Sequence, residues 1–187
     1  MVGFEYQQLS ILGFGTVDTE IIEFQALVDG LQRRPVAFGE VLEVGHEFGL
    51  FGPLGVQHAV PKFDAAGTFI GSSYCFMRAE DFARIGLLAL RGGVWNGARL
   101  LPESWIDFAR TPGPAQPDDG RGYGAHWWLE MFSPGGFSMN GYAGQWVACC
   151  PHRDLILVRH GNSVNDAATL RQEAALQWVR DAMACFR

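Results

Sequence analysis

The stretch that decides the fold is GYAGQWVACC, residues 141–150. Five successive apolar residues, 146–150, predict a buried strand; the turn PHRD follows, and residues 155–160 form the returning strand of a β-hairpin. The small residues beside a tyrosine at the head of the hairpin would let a ligand or another backbone approach closely. The alternative is a structural glycine kink at a sheet edge.

Helical periodicity surrounds this hairpin. Residues 79–91 place Phe82, Ile85 and Leu88 on one face, with Leu87 and Leu90 beside them, and predict a helix that ends at Gly92-Gly93. A last helix is predicted from a cap at Ser163 or Asn165 to about residue 184. Its apolar row recurs every fourth residue and is flanked by a second row: Leu170, Ala174, Trp178 and Ala182, then Ala175, Val179, Met183 and Phe186.

Shorter elements connect these segments. Asn96-Gly97 predicts a tight hairpin turn and Pro102 the first turn of a helix, whereas residues 123–130 predict one strand. Residues 51–56 are expected to form a loop that re-enters the core, and residues 20–31 and 36–48 two helices. The predicted fold class is α+β: an antiparallel sheet with a packed terminal helix plus part of a helical region. We expect one domain, 1–187, with 1–60 as the helical remnant and 61–187 as sheet, hairpins and terminal helix.

Composition restricts the function. The 187 residues are 48% hydrophobic and 18% charged with a net charge of -6, so a nucleic-acid partner is not expected. Neither a signal peptide nor an apolar run of about 18 residues is visible, so we expect no membrane partner and favour a cytoplasmic location.

Four cysteines without a CxxC pair indicate reduced thiols. Cys149, Cys150 and His152 could suggest a metal site, but two small buried side chains on opposite faces of a strand explain the cysteines as well. We therefore predict no metal and no cofactor.

Several motifs occur in an order that is distinctive. They are GPLGV at 52–56, GSSY at 71–74 leading into AEDFARIG at 79–86, GVWNG at 93–97 leading into LPESW at 101–105, and YGAHWW at 123–128. Together they resemble the serine β-lactamase-like hydrolases, which include class C β-lactamases, penicillin-binding-protein-like carboxylesterases and 6-aminohexanoate-dimer-type amide hydrolases. The resemblance covers about 110 residues, from Pro53 to Asn162.

This resemblance implies a β-lactamase/transpeptidase-like fold and hydrolysis of a small ester, amide or β-lactam through an acyl-enzyme. In the family a serine in Ser-x-x-Lys attacks, and a Tyr-x-Asn tyrosine handles the proton with that lysine. A third motif, Lys-Thr-Gly or His-x-Gly, lines the site, and a backbone N–H just after it stabilises the oxyanion.

The third motif maps onto Tyr142-Ala143-Gly144, with the neutral Tyr142 in the place of lysine or histidine. The resemblance implies that Gly144 permits close approach of a substrate and that the Gln145 N–H is the oxyanion donor. The second motif maps onto Tyr6, with Gln8 in the place of asparagine. The alternative for Tyr6 is a side chain packed at a frayed terminus.

The first motif is absent from this sequence. Lys62 is the only lysine, and Ala59 stands three residues before it. The family's serine would precede Met1, so we expect the chain to correspond to the C-terminal part of such an enzyme. Ser72 and Ser73 are the nearest substitutes; no lysine lies beside them, and the family uses that loop as a wall of the substrate site.

Two hypotheses follow from these motifs. One is a serine hydrolase that lacks its nucleophile in this chain and is inactive alone. The other is a non-catalytic ligand-binding remnant or truncated fragment, which the replacements at Tyr142 and Gln8 favour. In either case we expect exposed apolar surface, and therefore self-association or a missing N-terminal fragment as the partner.

Overall fold

The structure is a computed structural model that describes residues 50–66, 75–114, 116–117, 121–161 and 168–186. The described residues form these elements in chain order: α1 (Phe51–Leu54), β1 (Val60–Pro61), β2 (Cys75–Phe76), α2 (Ala79–Leu90), β3 (Val94–Trp95), β4 (Ala98–Arg99), α3 (Glu103–Ala109), β5 (Gly122–Tyr123), β6 (Trp128–Leu129), β7 (Phe137–Gly141), β8 (Gln145–Cys150), β9 (Leu155–Arg159) and α4 (Ala168–Ala184). The helices predicted at 20–31 and 36–48 lie outside the described residues.

Strands β5 to β9 form one antiparallel sheet in sequential order, and β1–β2 and β3–β4 are separate two-stranded ladders. The predicted hairpin, β8–β9, lies at one end of the five-stranded sheet, where Trp146 pairs with Arg159 and Cys150 with Leu155. The turn between these strands is a 3₁₀ turn at Pro151–Arg153, closed by Asp154 in the left-handed conformation. The predicted α+β class is therefore confirmed, with sequence-adjacent strands as sheet neighbours.

Alternate residues of β8 point to opposite faces of the sheet, and each face is covered by a different helix. Val147 and Cys149 lie in the core on the α2 side. Trp146, Ala148 and Cys150 lie in the core on the α4 side. The apolar run was continuous in sequence because both faces of this strand are buried.

Helix α2 approaches the sheet closely because Gly86 faces it. A Cβ atom at Gly86 would lie 2.8 Å from Val147 Cγ1 and 3.3 Å from Ile156 Cγ2. Glycine is unfavourable inside a helix by about 1 kcal/mol, so its presence here reflects the packing distance rather than helix propensity. Phe82, Ile85 and Leu88 are buried on this face as predicted.

Three predicted elements differ in the structure. Residues 51–54 are a short helix, because Gly55 in the left-handed conformation closes one helical turn; Leu54 and Val56 are buried, as expected. Pro102 precedes α3 rather than lying in its first turn. On α4 the buried row is Ala175, Val179 and Met183, which we had expected to flank the stripe.

The strand predicted at 123–130 is in fact two strands, β5 and β6, joined by a tight connection. The Gly124 N–H donates to the Trp127 carbonyl, and His126 has a positive φ of 64°. The Gly124 position also lies against α3, since a Cβ there would be 2.2 Å from the Ala109 carbonyl oxygen. This turn carries no Asn-Gly signal, which is why the sequence did not predict it.

The hairpin predicted at Asn96-Gly97 is present as β3–β4. Both residues have positive φ angles, 47° and 81°, as a type I′ turn requires. Within the ranges described above, no helix is long and apolar enough to cross a membrane.

Candidate active site

The segment between β7 and β8 is the candidate site. Tyr142–Gly144 is a short 3₁₀ turn with an irregular centre: Ala143 has φ 59° and ψ 25°, and Gly144 has φ 81°. The Tyr142 side chain is 57% exposed, whereas Gly144 and Gln145 are buried. An exposed tip thus joins two buried strands at one end of the sheet.

Ala143 is strained, because a left-handed backbone brings the Cβ of a non-glycine residue too close to a carbonyl oxygen, at about 1–2 kcal/mol. Strain of this kind persists only where the surroundings impose it, and it is concentrated at functional sites. The turn is therefore held in shape by its neighbours.

The first prediction follows from this strain. Ala143→Gly should raise the free energy of unfolding by about 1 kcal/mol, with the melting temperature higher by about 2–4 °C, because glycine adopts this conformation without a steric penalty. Ala83→Gly inside α2 is the control and should lower stability by about 1 kcal/mol. A melting temperature for Ala143→Gly at or below that of the wild type would contradict the assigned conformation.

Two buried side chains, Gln145 and Arg159, fix the end of the turn by hydrogen bonds. The Gln145 side-chain amide donates to the Gly161 carbonyl, and its Oε1 accepts from the Gly161 N–H at 3.0 Å. Arg159 Nη1 donates to the Gly144 carbonyl oxygen. Both contacts join the start of β8 to the end of β9.

The sequence predicts the Gln145 N–H as the oxyanion donor. The structure places Gln145 directly after the Tyr142–Gly144 turn, as the first residue of β8. Its role as a donor to a ligand stays a prediction.

His160 follows Arg159 and packs edge-on against Phe82, with ring centroids 5.4 Å apart, on the α2 face of the sheet. Burial lowers its pKa to about 4, and the carboxylate of Glu80 opposes this shift. The imidazole is therefore neutral in the folded protein near neutral pH.

A second prediction concerns acid stability. The unfolded chain binds a proton at His160 below about pH 6.5, whereas the folded chain does so only below about pH 4, so stability falls as the pH drops between these values. The loss from this group should be about 3 kcal/mol. Urea unfolding at pH 7 and pH 4 should show a smaller pH-dependent loss for His160→Gln than for the wild type. The exposed control His152→Gln should behave as the wild type, and an unchanged loss in His160→Gln would contradict this.

The structure does not report on the other predicted site residues. Tyr6, Ser72 and Ser73 lie outside the described residues. Lys62 is exposed near the β1–β2 ladder, with its Nζ 5.7 Å from the Phe76 ring centroid. Sequence reasoning missed Arg159 and His160; the available signal was a pair of polar residues ending an otherwise apolar strand.

The possible metal motif does not form a metal cluster. Cys150 Sγ lies 3.7 Å from His152 Nε2, and no third histidine, cysteine or carboxylate joins them among the residues described. All four cysteines are free, and burial raises the pKa of the Cys75 thiol to about 12. Cys149 and Cys150 pack as small apolar side chains on opposite faces of β8, as the sequence predicted.

The fold of the described residues is similar to that of several solved structures. A Bacillus anthracis structure assigned as a 6-aminohexanoate-dimer hydrolase superposes with a TM-score of 0.58 at 21% identity, over 79% of this chain and 38% of that chain. A penicillin-binding-protein homologue from Caulobacter crescentus gives a TM-score of 0.47 at 18% identity, over 63% of this chain and 34% of that chain. The superposition on the Bacillus anthracis structure shows that the described residues have part of a β-lactamase/transpeptidase-like fold.

The sequence comparison agrees with the fold. The chain is 30% identical over 90 residues to 6-aminohexanoate-dimer hydrolase from Paenarthrobacter ureafaciens, which is 43% of this chain and 23% of that protein. No profile of a known protein family matches the sequence. This chain is a relative of the serine β-lactamase- and penicillin-binding-protein-like proteins, as its motifs predicted. It spans about a quarter of the length of the Paenarthrobacter ureafaciens protein and about two fifths of the length of the Bacillus anthracis protein.

Proposed function

We propose that this chain forms the oxyanion side of the substrate pocket in a β-lactamase-related serine hydrolase that cleaves an ester, amide or β-lactam bond. The observation that carries the proposal is the Tyr142–Gly144 turn, which is exposed at Tyr142 and strained at Ala143. Its end is fixed by hydrogen bonds from the buried side chains of Arg159 and Gln145. The proposal is also supported by the family resemblance, which maps the third motif, beside the oxyanion donor, onto this turn.

The chemistry would proceed through an acyl-enzyme. A serine oxygen bonds to the carbonyl carbon, and the carbonyl electron pair moves onto its oxygen, where a backbone N–H of the turn stabilises the charge. Collapse of this intermediate breaks the bond to the leaving alcohol or amine, which takes up a proton. Water then attacks the acyl group, and the serine and a carboxylic acid are released. Tyr6 would take part in these proton transfers.

This sequence lacks the Ser-x-x-Lys motif in which the family's attacking serine is found. Its single lysine is Lys62, and the residue three positions before it is Ala59 rather than serine. The turn also carries the neutral, exposed Tyr142 where lysine or histidine is usual. We therefore expect the isolated chain to bind a small acyl compound without turning it over.

A ligand-binding module without chemistry is the second candidate, and the same observations at Tyr142 and Gln8 favour it. The coding sequence directly upstream would distinguish the two candidate functions. A reading frame with Ser-x-x-Lys at the start of a predicted helix would support the hydrolase, and its absence would support the binding module.

The pocket itself can be tested on the purified chain. Phenylphosphonate has oxygens that imitate a tetrahedral oxyanion, and its binding can be followed by the amide NMR signals of residues 142–145. We expect saturable shifts of these signals and no hydrolysis of p-nitrophenyl acetate above the buffer rate. The absence of saturable shifts at the turn would contradict the pocket, and ester hydrolysis would contradict the missing nucleophile.

A further inference from the structure

We propose that Arg159 is a positioning residue for the Tyr142–Gly144 turn: its buried guanidinium fixes the Gly144–Gln145 peptide, and thereby the direction of the Gln145 N–H, the proposed oxyanion donor. The structural part of this inference stands on contacts within the chain. Its functional part rests on the function proposed above, because the ligand is the acyl oxyanion of that same site.

Arg159 is placed for this role by the sheet register. It is the cross-strand partner of Trp146, which lies two residues after the turn, and Arg159 is 4% exposed. The guanidinium carbon lies 5.5 Å from the Trp146 ring centroid, and Nη1 donates to the Gly144 carbonyl. A planar cation beside an aromatic ring and bonded to a carbonyl has little rotational freedom.

The bonded carbonyl belongs to the peptide that leaves the turn. Because a peptide unit is planar and trans, fixing the direction of the Gly144 carbonyl also fixes the Gln145 N–H, which points the opposite way. A hydrogen bond from a charged donor is stronger than one between neutral groups, and it polarises the peptide that accepts it. One arginine therefore orients the end of the turn and strengthens its donor.

The contact also explains how the strain at Ala143 is maintained. The turn follows β7 and ends at Gly144, whose carbonyl oxygen accepts a hydrogen bond from Arg159. The next residue, Gln145, is bonded to Gly161 on both sides of its amide. These hydrogen bonds of Arg159 and Gln145 therefore fix the C-terminal end of the turn, at Gly144 and Gln145.

The chain contains a matched control. Arg153 Nη1 donates to the Met183 carbonyl at the end of α4, so it forms the same kind of arginine–carbonyl bond away from the turn. Arg153→Met and Arg159→Met each remove one guanidinium that is bonded to a carbonyl. Arg159→Lys is the conservative variant, because an ammonium can donate to Gly144 without the planar contact with Trp146.

The experiment compares these variants by melting temperature, by the amide NMR signals of residues 142–145 and by phenylphosphonate titration. We expect Arg159→Met to shift those amide signals and weaken phenylphosphonate about tenfold or more, as loss of a charge-assisted bond implies. Arg159→Lys should recover part of the affinity. Arg153→Met should lower the melting temperature while the turn signals and the affinity stay as in the wild type.

The outcomes separate the two claims. If Arg159→Met lowers the melting temperature but leaves the turn signals and phenylphosphonate affinity unchanged, Arg159 is a structural residue and the inference is wrong. The same holds if Arg153→Met changes the turn signals as strongly. If Arg159→Met shifts the turn signals in a protein whose wild type does not bind phenylphosphonate, the positioning role stands and the proposed function fails.

Discussion

Gly86→Val is expected to lower the free energy of unfolding by about 3 kcal/mol, the largest effect among the substitutions considered. The glycine faces the sheet at the contact between α2 and the β8–β9 hairpin, where a Cβ would lie 2.8 Å from Val147 Cγ1. Valine adds two further methyl groups that face Val147, Ile156 or Cys149. Since Val147 is fully buried, the helix or the strand must shift.

Leu87→Val on the same helix is the control, because Leu87 is partly exposed and the substitution also introduces a β-branched side chain. It should cost about 1 kcal/mol or less. The double variant Gly86→Val, Val147→Ala should recover part of the loss by making room at the contact. Urea unfolding measures all three, and a loss in Gly86→Val no larger than in Leu87→Val would show that α2 does not pack on β8 in this way.

Gly144→Ala is expected to weaken phenylphosphonate about tenfold, the largest effect on ligand binding by a substitution that adds a single methyl group. Gly144 has a φ of 81° and contributes the carbonyl that Arg159 holds. A Cβ in this conformation costs about 1–2 kcal/mol, and the turn can relieve that cost by moving away from its binding geometry.

Gly135→Ala provides the matched control. Gly135 has a φ of 68° in the turn before β7, and no atom lies within 4 Å of the Cβ position there. Its backbone strain should match that of Gly144→Ala, so the two variants should lose similar stability. Only Gly144→Ala should lose phenylphosphonate affinity in the NMR titration, and equal affinity in both variants would show that the turn does not bind the ligand.

The sequence predicted the elements whose signals are local. The apolar run of β8, the turn-forming residues after it and the periodicity of α2 each depend on neighbouring residues, and each is present in the structure. The β5–β6 connection was missed because its turn depends on Gly124 packing against Ala109, which is a contact between distant segments. The buried row on α4 differed by one position for the same reason, since the sheet selects which face of the helix is covered.

The sequence indicated the irregular segment at Tyr142–Gly144, whereas the side chains that hold it were not predictable. Small residues beside Tyr142 indicated a close approach, and the structure places an exposed, strained turn there. The side-chain contacts of Arg159 and Gln145 could not be derived from the sequence, because each side chain bonds a residue about 15 positions away through the sheet register. The roles suggested for Tyr6, Ser72 and Ser73 stay predictions.

The most direct test of the central claim is the intact mass of the folded chain after exposure to a fluorophosphonate, which bonds to activated serines. We predict no adduct, because in the proposed function this chain supplies the oxyanion side of the pocket and its sequence contains no Ser-x-x-Lys motif. A stoichiometric adduct on the folded protein, lost on prior unfolding, would contradict this and show that the chain carries its own nucleophile. Peptide mapping would then decide between Ser72, Ser73 and another serine.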